Sequence, residues 1–263
     1  MKVGDIVTSE ECKQIQLDIL LSIDEFCKKN DINYSIAYGT LIGAIRHRGF
    51  IPWDDDIDII MMRDEYERFV SQYKHPKFEL ISGENIANHL HVVVSNPRTR
   101  LVFNNSPSDT HFYKGGVWVD VFPVDEVPKS KLVFQVQSSI LLFVKNLHRL
   151  SQFTPRKALY MRCAHMVLVP FEGILNRLMF KIMKAYNDSN TGWVGDLALC
   201  YLSYPSFPAV YMKEFIDVEF EGYIFKAIKE YDRFLYGVYG DYMSLPPVEQ
   251  RTPRHDYIAY WRE

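Results

Sequence analysis

The sequence predicts a mixed α/β fold of the α+β kind, a mixed sheet domain with an additional helical region. Two observations carry this reading. The first half alternates short β-branched and aromatic runs with segments of helical period, and from about residue 131 the chain turns to long apolar stretches of helical spacing. With 263 residues, 48% of them hydrophobic, the chain is long enough to bury a large core.

Residues 9–29 place Ile15, Ile19, Ile23 and Phe26 at helical spacing, with Ser9 as N-cap and Glu11 and Glu25 on polar positions, which predicts a first helix. Residues 34–38 follow as a short strand, broken at Gly39-Thr40 before the apolar helical turn of residues 41–45. After a loop, residues 56–61 alternate polar and apolar and lead into a charged helix at 63–73. Further strands are expected at 78–81, 91–95, 101–103 and 117–122, each rich in β-branched or aromatic residues. Helical spacing then recurs at Leu141, Val144 and His148, and at Met166, Val169, Gly173 and Leu178. The end mixes a strand-like pattern at 220–225, a helix-like 227–236 and a tail punctuated by Gly and Pro. The expected organisation is a core of 1–126, a helical region of 127–215 and a C-terminal segment of 216–263 packing back on the core.

A formal charge of -3 and a pI near 6.3 leave no basic footprint over the whole chain, which argues against nucleic acid as a partner. Cys12, Cys27, Cys163 and Cys200 are far apart and form no CxxC pair, so they read as reduced thiols. The start lacks a secretory pattern and no run of about 18 uncharged apolar residues occurs, so a cytoplasmic protein without a membrane span is expected. Residues 127–187 depart from the average: ten Lys or Arg face a single acid, Glu172, a local charge of +9. Apolar residues such as Leu141, Phe143, Phe153 and Leu178 interleave with them. This composition suits amphipathic helices on an anionic membrane surface, or else an ordinary helical subdomain.

The chemistry concentrates in acids set among apolar residues. In a strand, residues two apart share a face, so Asp56 and Asp58 project together while Ile57 and Ile59 face the core. Two unpaired carboxylates there repel, and a divalent cation reverses the sign; oxygen ligands of this kind suit Mg²⁺ or Mn²⁺. Asp120, flanked by Val119 and Val121, is a third anchored acid that completes such a site, and Asp125 is a weaker candidate. Asp54 and Asp55, after Pro52-Trp53, fit a solvated turn as well as a functional role. Paired ions held by carboxylates suit phosphoryl transfer, which needs charge neutralised more than it needs an enzymatic nucleophile. Gly39-Thr40 offers backbone and hydroxyl donors to phosphate at the start of a helix.

The stretch from Tyr38-Gly39-Thr40-Leu41 through Arg46-His47-Arg48-Gly49 and Pro52-Trp53-Asp54-Asp55-Asp56-Ile57-Asp58 resembles the signature of the LicD family. Val119-Asp120-Val121-Phe122-Pro123 and Tyr239-Gly240-Asp241-Tyr242 extend the likeness, while 127–215 carries no matching motif. The resemblance implies a nucleotidyltransferase-like sheet domain with Gly39 and Thr40 at the nucleotide phosphates and Asp56, Asp58 and Asp120 as catalytic metal ligands for two Mg²⁺ or Mn²⁺ ions. It also implies transfer of phosphocholine or a phospho-alditol from a CDP-linked donor to a glycan or lipid-linked glycan, as in bacterial phosphocholine transferases and fukutin-related protein. Arg46 and then Arg48 are the expected phosphate contacts, and Trp118, on the face of Asp120, is a candidate for the transferred group. A metal-dependent glycosyltransferase using a nucleotide sugar shares the Asp-x-Asp pattern, and an inactive glycan-binding scaffold is the alternative outside enzymes.

Overall fold

The computed structural model describes residues 4–82, 90–103, 115–152, 159–199 and 206–262, with the side chains of 159 and 161 left aside. Phe153, Arg156, Lys157 and Cys200 of the sequence reading lie outside the described residues. The chain forms two compact units, one of residues 1–82, 91–123 and 210–263, the other of 83–90 and 124–209.

In the first unit, strand β1 (Ile6–Val7) leads into helix α1 (Ser9–Asn30). The N-cap is Thr8 rather than Ser9. The run Thr8-Ser9-Glu10-Glu11 is a reciprocal capping box: the Glu11 N–H donates to the Thr8 hydroxyl at 3.2 Å and the Thr8 N–H to Glu11 at 2.8 Å. Ile15, Ile19, Ile23 and Cys27 form the buried face, as their spacing requires. Asp31, in the left-handed conformation, ends the helix.

Strands β2 (Ser35–Ile36), β3 (Asp58–Met62), β4 (Glu79–Ile81), β5 (Val92–Ser95) and β7 (Trp118–Glu126) form the main sheet in the order β2-β3-β7-β5-β4. Helices α2 (Tyr38–His47) and α3 (Arg63–Gln72) flank β3 in sequence. Ile36, Ile59, Ile60, Val93, Val119 and Val121 are fully buried, each worth about 1.5–3 kcal/mol relative to exposure. Strand β3 begins at Asp58, not Asp56; the lead-in is tied to β7 by the Asp120 N–H donating to the Ile57 carbonyl at 2.9 Å.

A second antiparallel sheet sets β12 (Tyr257–Trp261) between β1 and β6 (Thr99–Phe103). Strands β10 (Phe215–Phe220) and β11 (Tyr223–Ile228) form a hairpin whose two-residue turn, Glu221-Gly222, has positive φ at both residues, as a type I′ turn requires. Helix α7 (Tyr231–Tyr239) follows. It starts later than the sequence pattern suggested, because Ala227 and Ile228 complete the buried edge of β11.

In the second unit α4 (Lys131–Gln152) packs against α5 (Leu159–Leu168) and α6 (Glu172–Met183). The end of β7 pairs with β8 (Trp193–Gly195), which pairs with β9 (Phe207–Pro208). Asp125 belongs to this arrangement: Asn187 donates to its carboxylate at 2.8 Å and accepts from the Glu126 N–H.

Candidate active site

The first unit gathers its acids beside the start of α2. Tyr38, the first helical residue, has φ of 49°, an outlier for a bulky side chain that costs about 1–3 kcal/mol, and its ring is fixed against Phe122 and Phe234. The N-cap Ala37 makes no side-chain cap, so the helix start lacks an internal partner of that kind and suits an anion. Thr40 accepts the Asp58 N–H at 2.9 Å, joining the helix to β3, and its hydroxyl proton remains to donate elsewhere. A Cβ at Gly39 would stand 2.5 Å from Asp54 Oδ2, so glycine lets Asp54 approach the helix start.

Asp56, Asp58 and Asp120 are all buried at 6–7% exposure. Burial, then Asp56, Asp120 and Asp54, holds Asp58 well above the usual carboxylate range. Burial, then Asp54, pushes Asp56 up to about 7, with His255 acting the other way. Asp54 is raised too, by burial and then by Asp55. The acids named from the sequence therefore share one field, and Asp54 and Asp55 stand inside it.

Asp120 is held at both oxygens, by His91 Nε2 at 2.7 Å and by the Trp118 indole N–H at 2.6 Å. Trp118 is thereby a group that positions Asp120, and its ring lies 5.4 Å from that of His255 and 5.5 Å from Tyr257. His255, just before β12, reaches Asp55 through both its N–H and its Nδ1 at 3.1 Å, and stands 3.8 Å from Asp56 Oδ2. Burial disfavours its charge, but the hydrogen bond to Asp55 and the charges of Asp56, Asp55 and Asp120 together raise its pKa.

One ligand atom each from Asp55, Asp56 and His255 lie within 4.8 Å of one another, a candidate metal centre. The donor set fits a divalent cation: two carboxylates and an imidazole, among acids whose mutual repulsion a positive ion would relieve. This trio shares Asp56 with the three acids expected from sequence and adds Asp55 and His255 to the residues gathered there. The Arg254 charge favours the ionised forms of Asp54 and Asp58, against the stronger effects of burial and neighbouring acids. Arg46 donates to the carbonyls of Tyr242 at 2.7 Å and Ser244 at 3.3 Å, and the exposed Arg48 caps α2 with φ of 57°.

His91, Arg254 and His255 escaped the sequence reading. A lone His or Arg in a loop carries no local signal, and the Asp55–His255 pair joins residues 200 positions apart.

Residues 31–174 match the family described as LicD/FKTN/FKRP, nucleotidyltransferase domain. The chain is 31% identical, over 97% of its length and 98% of the relative's, to a lipopolysaccharide cholinephosphotransferase LicD of Haemophilus influenzae. It is also 29% identical to an uncharacterised protein of Rickettsia typhi over 49% of this chain and 52% of that one. The match of more than half the chain to this domain and the full-length relative agree with the Gly-Thr turn and the buried acids, and the chain belongs to the LicD family.

Proposed function

We propose that this LicD-type phosphotransferase moves phosphocholine or a phospho-alditol from a CDP-linked donor to a hydroxyl of a cell-surface glycan or its lipid-linked precursor. The observation that carries the reading is the crowd of buried acids beside the Gly39-Thr40 turn, whose charges repel until cations join them. Asp55, Asp56 and His255 would hold one Mg²⁺ or Mn²⁺, and Asp56, Asp58 and Asp120 a second, with Asp56 common to both. When bound, such ions neutralise the donor diphosphate and favour departure of CMP.

Gly39 and Thr40 offer an N–H and a hydroxyl to the phosphates. Arg254 adds a charge already felt at the cluster, and Arg46 and Arg48 are further cations at the other end of the same helix. Trp118 and His91 steady Asp120. The acceptor oxygen bonds to the phosphorus of that group, the bond from this phosphorus to the CMP oxygen breaks, and the hydroxyl proton passes to a carboxylate of the cluster. A donor screen tests this reading. CMP should be released from CDP-choline or CDP-ribitol with Mg²⁺ or Mn²⁺; UDP released from UDP-glucose instead would establish a glycosyltransferase, and turnover of no donor a binding protein.

The helical unit supports a site of action at an anionic membrane surface. Among the described residues no helix is long and apolar enough to cross a membrane. On α4, Phe134, Leu141 and Val144 are buried, yet Leu132, Val136, Ile140 and Phe143 form a second apolar row that is exposed, Phe143 by 63%. Met166 on α5 and Ile174 and Leu178 on α6 are exposed as well. Lys131, Arg149, Arg162, Arg177 and Lys181 are exposed on the same three helices. Apolar rows among cations suit shallow insertion between anionic headgroups, whereas a second copy would bring like charge against like. The full chain should sediment with phosphatidylglycerol vesicles, be released by salt, and lose most binding on Ile140→Ser with Phe143→Ser. Equal binding to phosphatidylcholine, or a salt-stable dimer formed through this face, would contradict the reading.

A further inference from the structure

A cavity of about 340 Å³ adjoins the candidate metal centre on the side of Asp55 and His255. It opens between the start of α1 and the β1–β12 sheet, and its lining includes none of Gly39, Thr40, Asp58 or Asp120. The cavity is therefore built from different elements than the helix start where the donor phosphates are proposed to bind. In-line displacement needs the attacking and leaving oxygens on opposite sides of the phosphorus, so a site abutting the same acids from another set of elements is where an acceptor belongs.

The lining has a specific chemistry. Ile6, Val7 and Ile258 give apolar wall, and Tyr257 adds an aromatic edge. Gln16, one of the lining residues, is fully buried; its Nε2 donates to the Asp55 carbonyl at 2.8 Å, while its Oε1 has no hydrogen-bond partner among the described residues. A buried amide oxygen without a partner is unfavourable, and a hydroxyl donor supplies what it lacks. Lys13, beside it on α1, disfavours a quaternary ammonium. The volume is at the small end of the range for ligand sites, roughly 300–1,000 Å³, and fits one sugar unit rather than a nucleotide.

We infer that this cavity is the acceptor subsite, taking a neutral monosaccharide unit whose hydroxyl donates to Gln16 Oε1 while a neighbouring hydroxyl faces Asp55 and His255. The identity of the occupant rests on the transferase reading above; the cavity and its unpartnered oxygen do not. Ligand-observed NMR on the full chain with Mg²⁺ tests it, using methyl galactoside, methyl glucoside, N-acetylglucosamine and ribitol as probes. At least one sugar should give saturation transfer, reduced fivefold or more by Gln16→Met and by Ser9→Trp. Ser9 lines the cavity and is exposed, so that variant fills the cavity from its solvent side without disturbing the core. Saturation transfer from no probe, or transfer unchanged in Ser9→Trp, would overturn the inference. CMP release from CDP-choline by the unaltered chain is read separately: its failure with sugar binding intact removes the donor reading, and its success with sugar binding absent removes this one.

Discussion

At the scale of single residues, the site is defined by charge placed where charge is unfavourable. Asp56 in the folded, metal-free protein binds its proton up to about pH 7, whereas in the unfolded chain it does so only up to about pH 4. The sign follows directly. A raised carboxylate contributes stability below its unfolded value, and that contribution is lost as pH rises through the folded one; Asp58 acts in the same direction. The metal-free protein should therefore lose stability between pH 5 and pH 8, on the order of a few kcal/mol, and thermal melts should show Mn²⁺ restoring it at pH 8. Asp58→Asn, nearly isosteric, should raise the melting temperature of the metal-free protein at pH 8 and lower transfer by about a hundredfold or more. Asp56→Asn and Asp120→Asn should lower transfer similarly. A variant whose melting temperature falls as its activity falls would identify that acid as structural. These acids were legible because apolar neighbours such as Ile57, Ile59, Val119 and Val121 mark an Asp that solvent alone does not explain. Asp55 read equally well as a turn or a functional acid, since the partner that singles it out, His255, is 200 positions away.

At the scale of elements, periodicity carried most of the architecture. The α1 spacing, the β3 run and the β-branched cores of β5 and β7 each announce themselves within a few residues. The β1-β12-β6 sheet does not. Strand β1 has two residues, and β12 reads Tyr-Ile-Ala-Tyr-Trp, with no alternation of polar and apolar residues to mark a strand. Yet β12 matters to the site, because its pairing with β1 on one side and β6 on the other fixes the end of the chain that carries His255. A chain ended at His255 keeps the imidazole but loses the strand. It should bind Mn²⁺ at least about tenfold more weakly, as when groups that orient a ligand are removed, a change that calorimetric titration reads directly. Unchanged affinity would show that β12 does not position the imidazole.

At the scale of the whole molecule, the two units carry different features. The first carries the acids, the Gly-Thr turn and the cavity; the second carries the exposed basic and apolar helix rows. The class of chemistry was readable from one long motif, while the helical unit, where the sequence reading recognised no motif although the family match reaches residue 174, disclosed its exposed second row only once α4 was folded. The family supports transfer of a phospho-group from a CDP-linked donor, and the proposal made for this chain is that cations held by the acidic cluster are needed for it. The most direct test is CMP release from CDP-choline and CDP-ribitol by the full chain, stripped of metal by a chelator and titrated with Mn²⁺ or Mg²⁺. The account predicts no release without metal, recovery on titration, and no recovery in Asp58→Asn at any metal concentration. Full release in excess chelator, or an Asp58→Asn protein that recovers as the unaltered chain does, would contradict it.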